Sequence, residues 1–200
     1  PVRTDNAYGE YSTATYDYRF GRPLTLTDIS HNTMTYTYDF AGRLATVTSP
    51  MSSGAPTLEN RYFPVNYYHG GCAPQGYADT PSPTGHPYSV TLHYDDAGNL
   101  ITRTAVLTDG FGRVLQTKKG LTANGTVTMQ VSGRTFVDAL GRAIRQHDPF
   151  TSADTSLSLL GTLDTSQSTT LMATTAYDVL DRVDSTVQPL GITTKSHYDI

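Results

Sequence analysis

The chain alternates. From Thr33 it reads Thr33, Met34, Thr35, Tyr36, Thr37, Tyr38, a period of two that puts Met34, Tyr36 and Tyr38 on one face and the threonines on the other. After a short break the run resumes with Arg43, Leu44, Ala45, Thr46 and Val47. The break holds Asp39, Phe40, Ala41 and Gly42. An Asp opens a turn by accepting bonds from backbone N–H groups ahead of it, and a Gly supplies positive φ. The segment therefore predicts two strands joined by a type I turn closed by a left-handed Gly with a bulge.

The same signature recurs. TDGFGRV begins at Thr108, VDALGRA at Val137, YDDAGNL at Tyr94 and YDVLDRV at Tyr177, and a variant, DYRFGRPL, begins at Asp17. Tyr198-Asp199-Ile200 carries the start of another copy. The turn residues are Asp39, Gly42 and Arg43; Asp95 and Gly98; Asp109, Gly112 and Arg113; Asp138, Gly141 and Arg142; and Asp178 and Arg182. Asn99 stands in place of the Arg in one copy and Asp181 in place of the Gly in another. Asp enters the left-handed region more easily than most residues, so the second departure keeps the turn. Asp17 to Asp39 spans 22 positions and Asp178 to Asp199 spans 21, which gives the length of a unit. Asn124-Gly125 between strand-like runs predicts a further hairpin, and Asp28 to Asn32 another turn. A lone hairpin is marginal in water, so the repeats are expected to share one continuous twisted sheet. Residues 1–200 then form a single repeat segment. Two stretches break its pattern, about 50–87, rich in Pro, Gly, Ser and Tyr, and about 150–175, where Leu157 to Leu163 suits a short helical turn.

Composition agrees. There are 33 Thr and 14 Tyr, types that pack well on pleated surfaces, and charged residues make up only 16 % of the chain. The net charge of −4 comes without a block of either sign. That excludes the clustered basic face of a nucleic-acid binder and a polybasic membrane anchor. No apolar run is long enough to span a bilayer, so no direct membrane insertion is expected. One cysteine, Cys72, excludes an internal disulfide framework.

Candidate chemistry is sparse. His69 and Cys72 have ligand spacing, with Asp79 and His86 in the same stretch, but structural zinc wants two close pairs and only one exists. No Gly-x-Ser-x-Gly elbow is present. Asp109-Gly110-Phe111-Gly112 lacks the strand-to-helix setting of a phosphate loop. No catalytic residue, cofactor or metal is expected. The aromatics Tyr62, Phe63, Tyr67, Tyr68, Tyr77 and Tyr88 cluster in and beside the first irregular stretch. Tyr62, Tyr67, Tyr68 and Tyr77 would suit a contact loop, since aromatics give large rigid contact area, or they pin the loop onto the sheet. The repeated arginines, at Arg22, Arg43, Arg113, Arg142 and Arg182, keep a fixed place after the turn. That place suits pairing with the Asp or stacking on Tyr.

The signatures at Tyr38, Tyr94, Thr108, Val137 and Tyr177 resemble the YD or RHS repeat. DYRFGRPLTLTD from Asp17, followed by YTYDFAGRLATV from Tyr36, resembles the repeat region of the B component of bacterial insecticidal toxin complexes and related virulence proteins. The resemblance implies a sheet strip wound into a hollow shell of a secreted or cell-surface protein. Its partners would be other segments or subunits of the toxin shell and an enclosed polypeptide cargo. In that family self-cleavage lies near an Asp-Pro-x-Gly motif; here Asp148-Pro149-Phe150 lacks the Gly and reads as a turn. Asn124-Gly125-Thr126 matches a glycosylation acceptor that a bacterial protein would leave unused. The resemblance thus implies an encapsulating wall without catalysis. The competing class is a surface adhesion or recognition module that binds carbohydrate or protein through the 50–87 loop.

Overall fold

The structure is a computed structural model and describes residues 2–63, 86–123, 126–152 and 171–199. The chain is all-β. The first strands are β1 (Val2–Asp5), β2 (Tyr11–Asp17), β3 (Arg22–Thr27), β4 (Thr33–Tyr38), β5 (Leu44–Thr48) and β6 (Leu58–Phe63). Then come β7 (Tyr88–Tyr94), β8 (Leu100–Thr108), β9 (Val114–Ala123), β10 (Thr126–Val131) and β11 (Thr135–Val137). The last are β12 (Ala143–His147), β13 (Phe150–Ser152), β14 (Met172–Tyr177), β15 (Val183–Val187) and β16 (Thr193–Lys195), with a 3₁₀ turn at Pro189–Gly191. One sheet has eleven strands in the order β1 to β10 and then β13; the other has five, in the order β11-β12-β14-β15-β16. The described chain divides into two compact units. The first holds residues 2–62 and 90–103, the second 63, 86–89 and 104–199.

In the first unit the alternation sorts the two faces. Register sets Thr13 opposite Thr27, Thr15 opposite Thr25 and Thr25 opposite Thr35. Thr35 in turn faces Thr48, and Thr37 faces Thr46. Hydroxyls join across strands at Thr15–Thr25 (2.6 Å), Thr27–Thr33 (2.9 Å) and Thr37–Thr46 (2.7 Å). The other face carries Ala14, Leu26 and Met34 in one row and pairs Tyr36 with Val47. A groove of about 600 Å³ runs over this side, lined in part by Ala14, Tyr16, Leu26, Met34, Tyr36 and Met51. Farther along, Ala45, Val90 and Leu92 are buried.

The second unit buries Ala105, Leu107, Leu115, Met129 and Val131. Its two sheets separate because β13 pairs with β10 and so takes the edge that β11 would otherwise extend. The return passes from His147 to Phe150, and Gly133 lies so close to the His147 carbonyl that a Cβ would have no room. Gly here serves close approach of two backbones.

Two stretches expected to be irregular contain strands. Leu58–Phe63 is β6, paired with β5 through Thr46–Glu59 and Val47–Leu58. Its pattern is hidden in sequence by the Pro, Gly and Ser around it, and by an Arg61–Glu59 ion pair (2.7 Å) in mid-strand. Phe150–Ser152 is β13, and Met172 begins β14. The helical turn expected at Leu157 to Leu163 lies outside the described residues.

Candidate functional site: the hairpin tips

The loop from Asp39 to Arg43 shows how a tip is built. Gly42 N–H donates to the Asp39 carbonyl (3.0 Å) and Asp39 N–H to the Arg43 carbonyl (2.9 Å). Gly42 has φ +74°, and strand register slips between Thr37 and Tyr38, which is the bulge. The Asp39 carboxylate accepts the Ala41 and Arg43 backbone N–H groups on one oxygen (2.9 and 2.8 Å) and Arg43 Nε on the other (2.6 Å). One carboxylate therefore satisfies two loop N–H groups and a guanidinium that follows the turn.

The arrangement repeats at Asp109, Asp138 and Asp178, each holding its own Arg113, Arg142 or Arg182. Gly112 and Gly141 have φ +79° and +84°, and Asp181 takes the same role at +68°. At Asp95 the amide of Asn99 replaces the guanidinium (2.9 Å), with Gly98 at φ +85°. Asp17 differs: it holds Arg19 within the loop (2.7 Å) instead of Arg22.

Two further tips have an Asx residue in the first position but lack the rest of the signature. Asp28 accepts the Ser30 and Asn32 N–H groups, with His31 at φ +63° in the Gly position. At Asn6 the polarity reverses: its side-chain oxygen accepts the Tyr8 and Glu10 N–H groups while its amide donates to the Glu10 carboxylate (2.7 Å). The turn at Asp28 to Asn32 is expected from sequence; the signal that could have found the one at Asn6 is an Asx residue four positions before a side chain able to bond it.

These contacts set the electrostatics. Several tip carboxyls sit below the usual carboxylate range. The Arg19 guanidinium does this to Asp17, the Asn32 backbone N–H to Asp28 and the Asn99 amide to Asp95. For Asp138 and Asp178 the leading cause is the backbone N–H of Arg142 and of Arg182. Partial burial pushes Asp109 up, but the Arg113 N–H and guanidinium outweigh it and the net shift is down.

Beyond its own turn, a signature Arg meets a tyrosine from the next strand pair. Arg43 lies over the Tyr62 ring (4.2 Å), Arg142 over Tyr177 (4.6 Å) and Arg182 over Tyr198 (4.3 Å), with Arg22 farther from Tyr38 (5.9 Å). The same hydroxyls donate to the carbonyl just after each Arg. Tyr38 reaches Pro23 (2.7 Å), Tyr62 reaches Leu44 (3.2 Å), Tyr177 reaches Ala143 (3.1 Å) and Tyr198 reaches Val183 (2.9 Å). Each tyrosine is clamped between a cation and a backbone acceptor. Tyr62, which from sequence either belongs to a contact loop or pins that loop onto the sheet, is one of these clamped tyrosines; the strand in which it sits brings it beside Leu44. Tyr67, Tyr68 and Tyr77 lie outside the described residues, as do His69, Cys72 and Asp79. Asn124 and Gly125 also lie outside, although Ala123 and Thr126 pair directly across them.

Neighbouring tips touch. The Phe20 ring lies against Gly42, the Arg113 guanidinium fills the space a Cβ would need at Gly141, and Arg142 Nη1 bonds Asp181 (2.8 Å). Among the described residues no three His, Cys, Asp or Glu are placed to hold a metal ion, and no helix is long and apolar enough to cross a membrane. The tip carboxylates are committed to their own turns, and the arginines and tyrosines bind one hairpin to the next.

No known protein family and no curated protein matches the sequence. Solved structures do match in fold. A crystal structure of TcdB2-TccC3 aligns with 98 % of this chain at 23 % identity and a TM-score of 0.65. A second, of TcdB2-TccC3-TEV, aligns with 98 % at 21 % identity and 0.68. The Photorhabdus luminescens Tc holotoxin pore also aligns with 98 %, at 21 % identity and 0.66. The chain spans 11 to 14 % of the length of these three.

Proposed function

From that shared fold as premise, we propose that the chain is a wall segment of a secreted bacterial RHS/YD-repeat toxin protein, one that encloses a polypeptide cargo. The observation that carries this reading is the fold likeness across nearly the whole chain to structures of toxin complexes. The tips support it, because their carboxylates close the turns and their arginines lie over tyrosines of neighbouring strands. The faces of the first unit support it too. A threonine face suits water, and a groove lined by both apolar and polar side chains suits an extended polypeptide, which offers side chains of mixed kind and no fixed shape.

On this reading the mechanism is physical. The wall isolates its contents, and its partners are further wall segments or subunits and the enclosed chain. No residue of this segment forms or breaks a bond in a substrate.

Limited proteolysis of the protein that carries this chain, followed by gel filtration and intact mass, tests the proposal. A segment outside the repeats that is protected and co-elutes with the wall is the expected result. Digestion of every non-repeat segment at the rate of a free unfolded chain would overturn it.

A further inference from the structure

We propose that at the Asp138 and Asp178 tips of the second unit the fourth position is the docking point for the guanidinium of the preceding tip. Asp181 is then a positioning residue that fixes which hairpin sits beside which. This does not depend on the shell reading.

The same atom makes the same step twice. Arg113 Nη1 lies over Gly141, where a Cβ would point. Arg142 Nη1 lies over the corresponding residue of the next tip and donates to Asp181 Oδ1 (2.8 Å). Arg142 does this without leaving its own turn, since Nε and Nη2 hold Asp138 (2.7 and 2.6 Å). Its guanidinium thus bridges two tips, the planar fork serving one carboxylate and the remaining edge another.

Asp181 is an odd choice on local grounds. At φ +68° a Gly would be free of strain, whereas a residue with a Cβ is not. The Asp that opens each tip caps its loop by accepting backbone N–H groups. Asp181 instead extends its carboxylate, 68 % exposed, to the neighbour. The strain is offset by a bond that a Gly cannot make. Fourth positions and the groups that cover them therefore come as matched pairs: Arg113 with Gly141, and Arg142 with Asp181. In the first unit Phe20 covers Gly42 with a ring and the match is one of shape.

Two experiments on the full 200-residue chain test this. The first is a double-mutant cycle of Arg142→Gln and Asp181→Asn, read by amide exchange in the 178–182 loop. Asn keeps the size and tolerates the left-handed conformation. Asp181→Asn should speed exchange about threefold in low salt, as loss of an exposed ion pair does. The acceleration should vanish in the Arg142→Gln background and in about 1 M salt. Equal acceleration in both backgrounds overturns the assignment. The second compares Gly141→Asp with Gly141→Asn. Both carry the same backbone strain, and only Asp can pair with Arg113. Gly141→Asp should melt above Gly141→Asn in low salt, and the gap should close in about 1 M salt or with Arg113→Gln. Identical melting at both salt concentrations overturns the rule for the fourth position.

Discussion

Gly42 and Gly112 occupy the same place in two tips, yet their surroundings differ. Both have left-handed φ, but a Cβ on Gly42 meets the Phe20 ring, whereas one on Gly112 meets open space. Gly112→Ala should therefore cost only the backbone term, about 1 kcal/mol. Gly42→Val adds β-branching and a collision with Phe20, and should cost more, about 2 kcal/mol or above. Urea denaturation of both variants checks the order; equal midpoints would mean that Phe20 swings away without loss. At Tyr177 the phenol has two jobs. Tyr177→Phe removes the bond to the Ala143 carbonyl and should cost about 0.5 kcal/mol, at the low end because the group is exposed. Tyr177→Leu also removes the ring beneath Arg142 and should cost roughly 0.5 kcal/mol more. The same denaturation series separates the two contributions.

At the scale of the element, the hairpin tip was legible because its chemistry is local. An Asp, its two loop N–H groups, the left-handed residue and the Arg all lie within five positions, as between Asp138 and Arg142. The tips at Asn6 and Asp28 follow the same geometry with other side chains, and a search for the literal signature passes over them. β6 was harder to read because Glu59 and Arg61 look like loop residues until their pairing on a strand is seen. The tyrosine clamp was only half legible. The sequence shows that Arg and Tyr recur, but which Tyr meets which Arg depends on the strands returning to the same end of the sheet.

Across the whole molecule the tip carboxylates give a common response to acid. Asp17, Asp28, Asp95, Asp109, Asp138 and Asp178 are held below the carboxylate value they would have unfolded. A lowered folded value stabilises the folded state at every pH above the unfolded value, about 3.9. That stability is lost as pH falls through the folded value. Through these groups, thermal stability should stay level from neutral pH to about pH 5 and fall steeply below about pH 4. Melting followed by circular dichroism across that range checks it; a midpoint that rises on going from pH 5 to pH 3 would show that the tips do not govern the response.

The sequence by itself determined the all-β class, the alternation that sorts threonine from apolar faces, and the reversals at the repeated Asp-led signatures and at Asp28 to Asn32. These follow from side-chain period and from bonds that span five residues or fewer. Tertiary structure alone decided that β13 takes the free edge of β10, so that a second sheet begins at β11. It also decided that Tyr62 sits in a strand and bonds the Leu44 carbonyl, and that Arg142 reaches Asp181 across 39 positions. Strand edges and tip neighbours are chosen by register and by which segment returns to compete for an edge, and neither is written in any one stretch of chain.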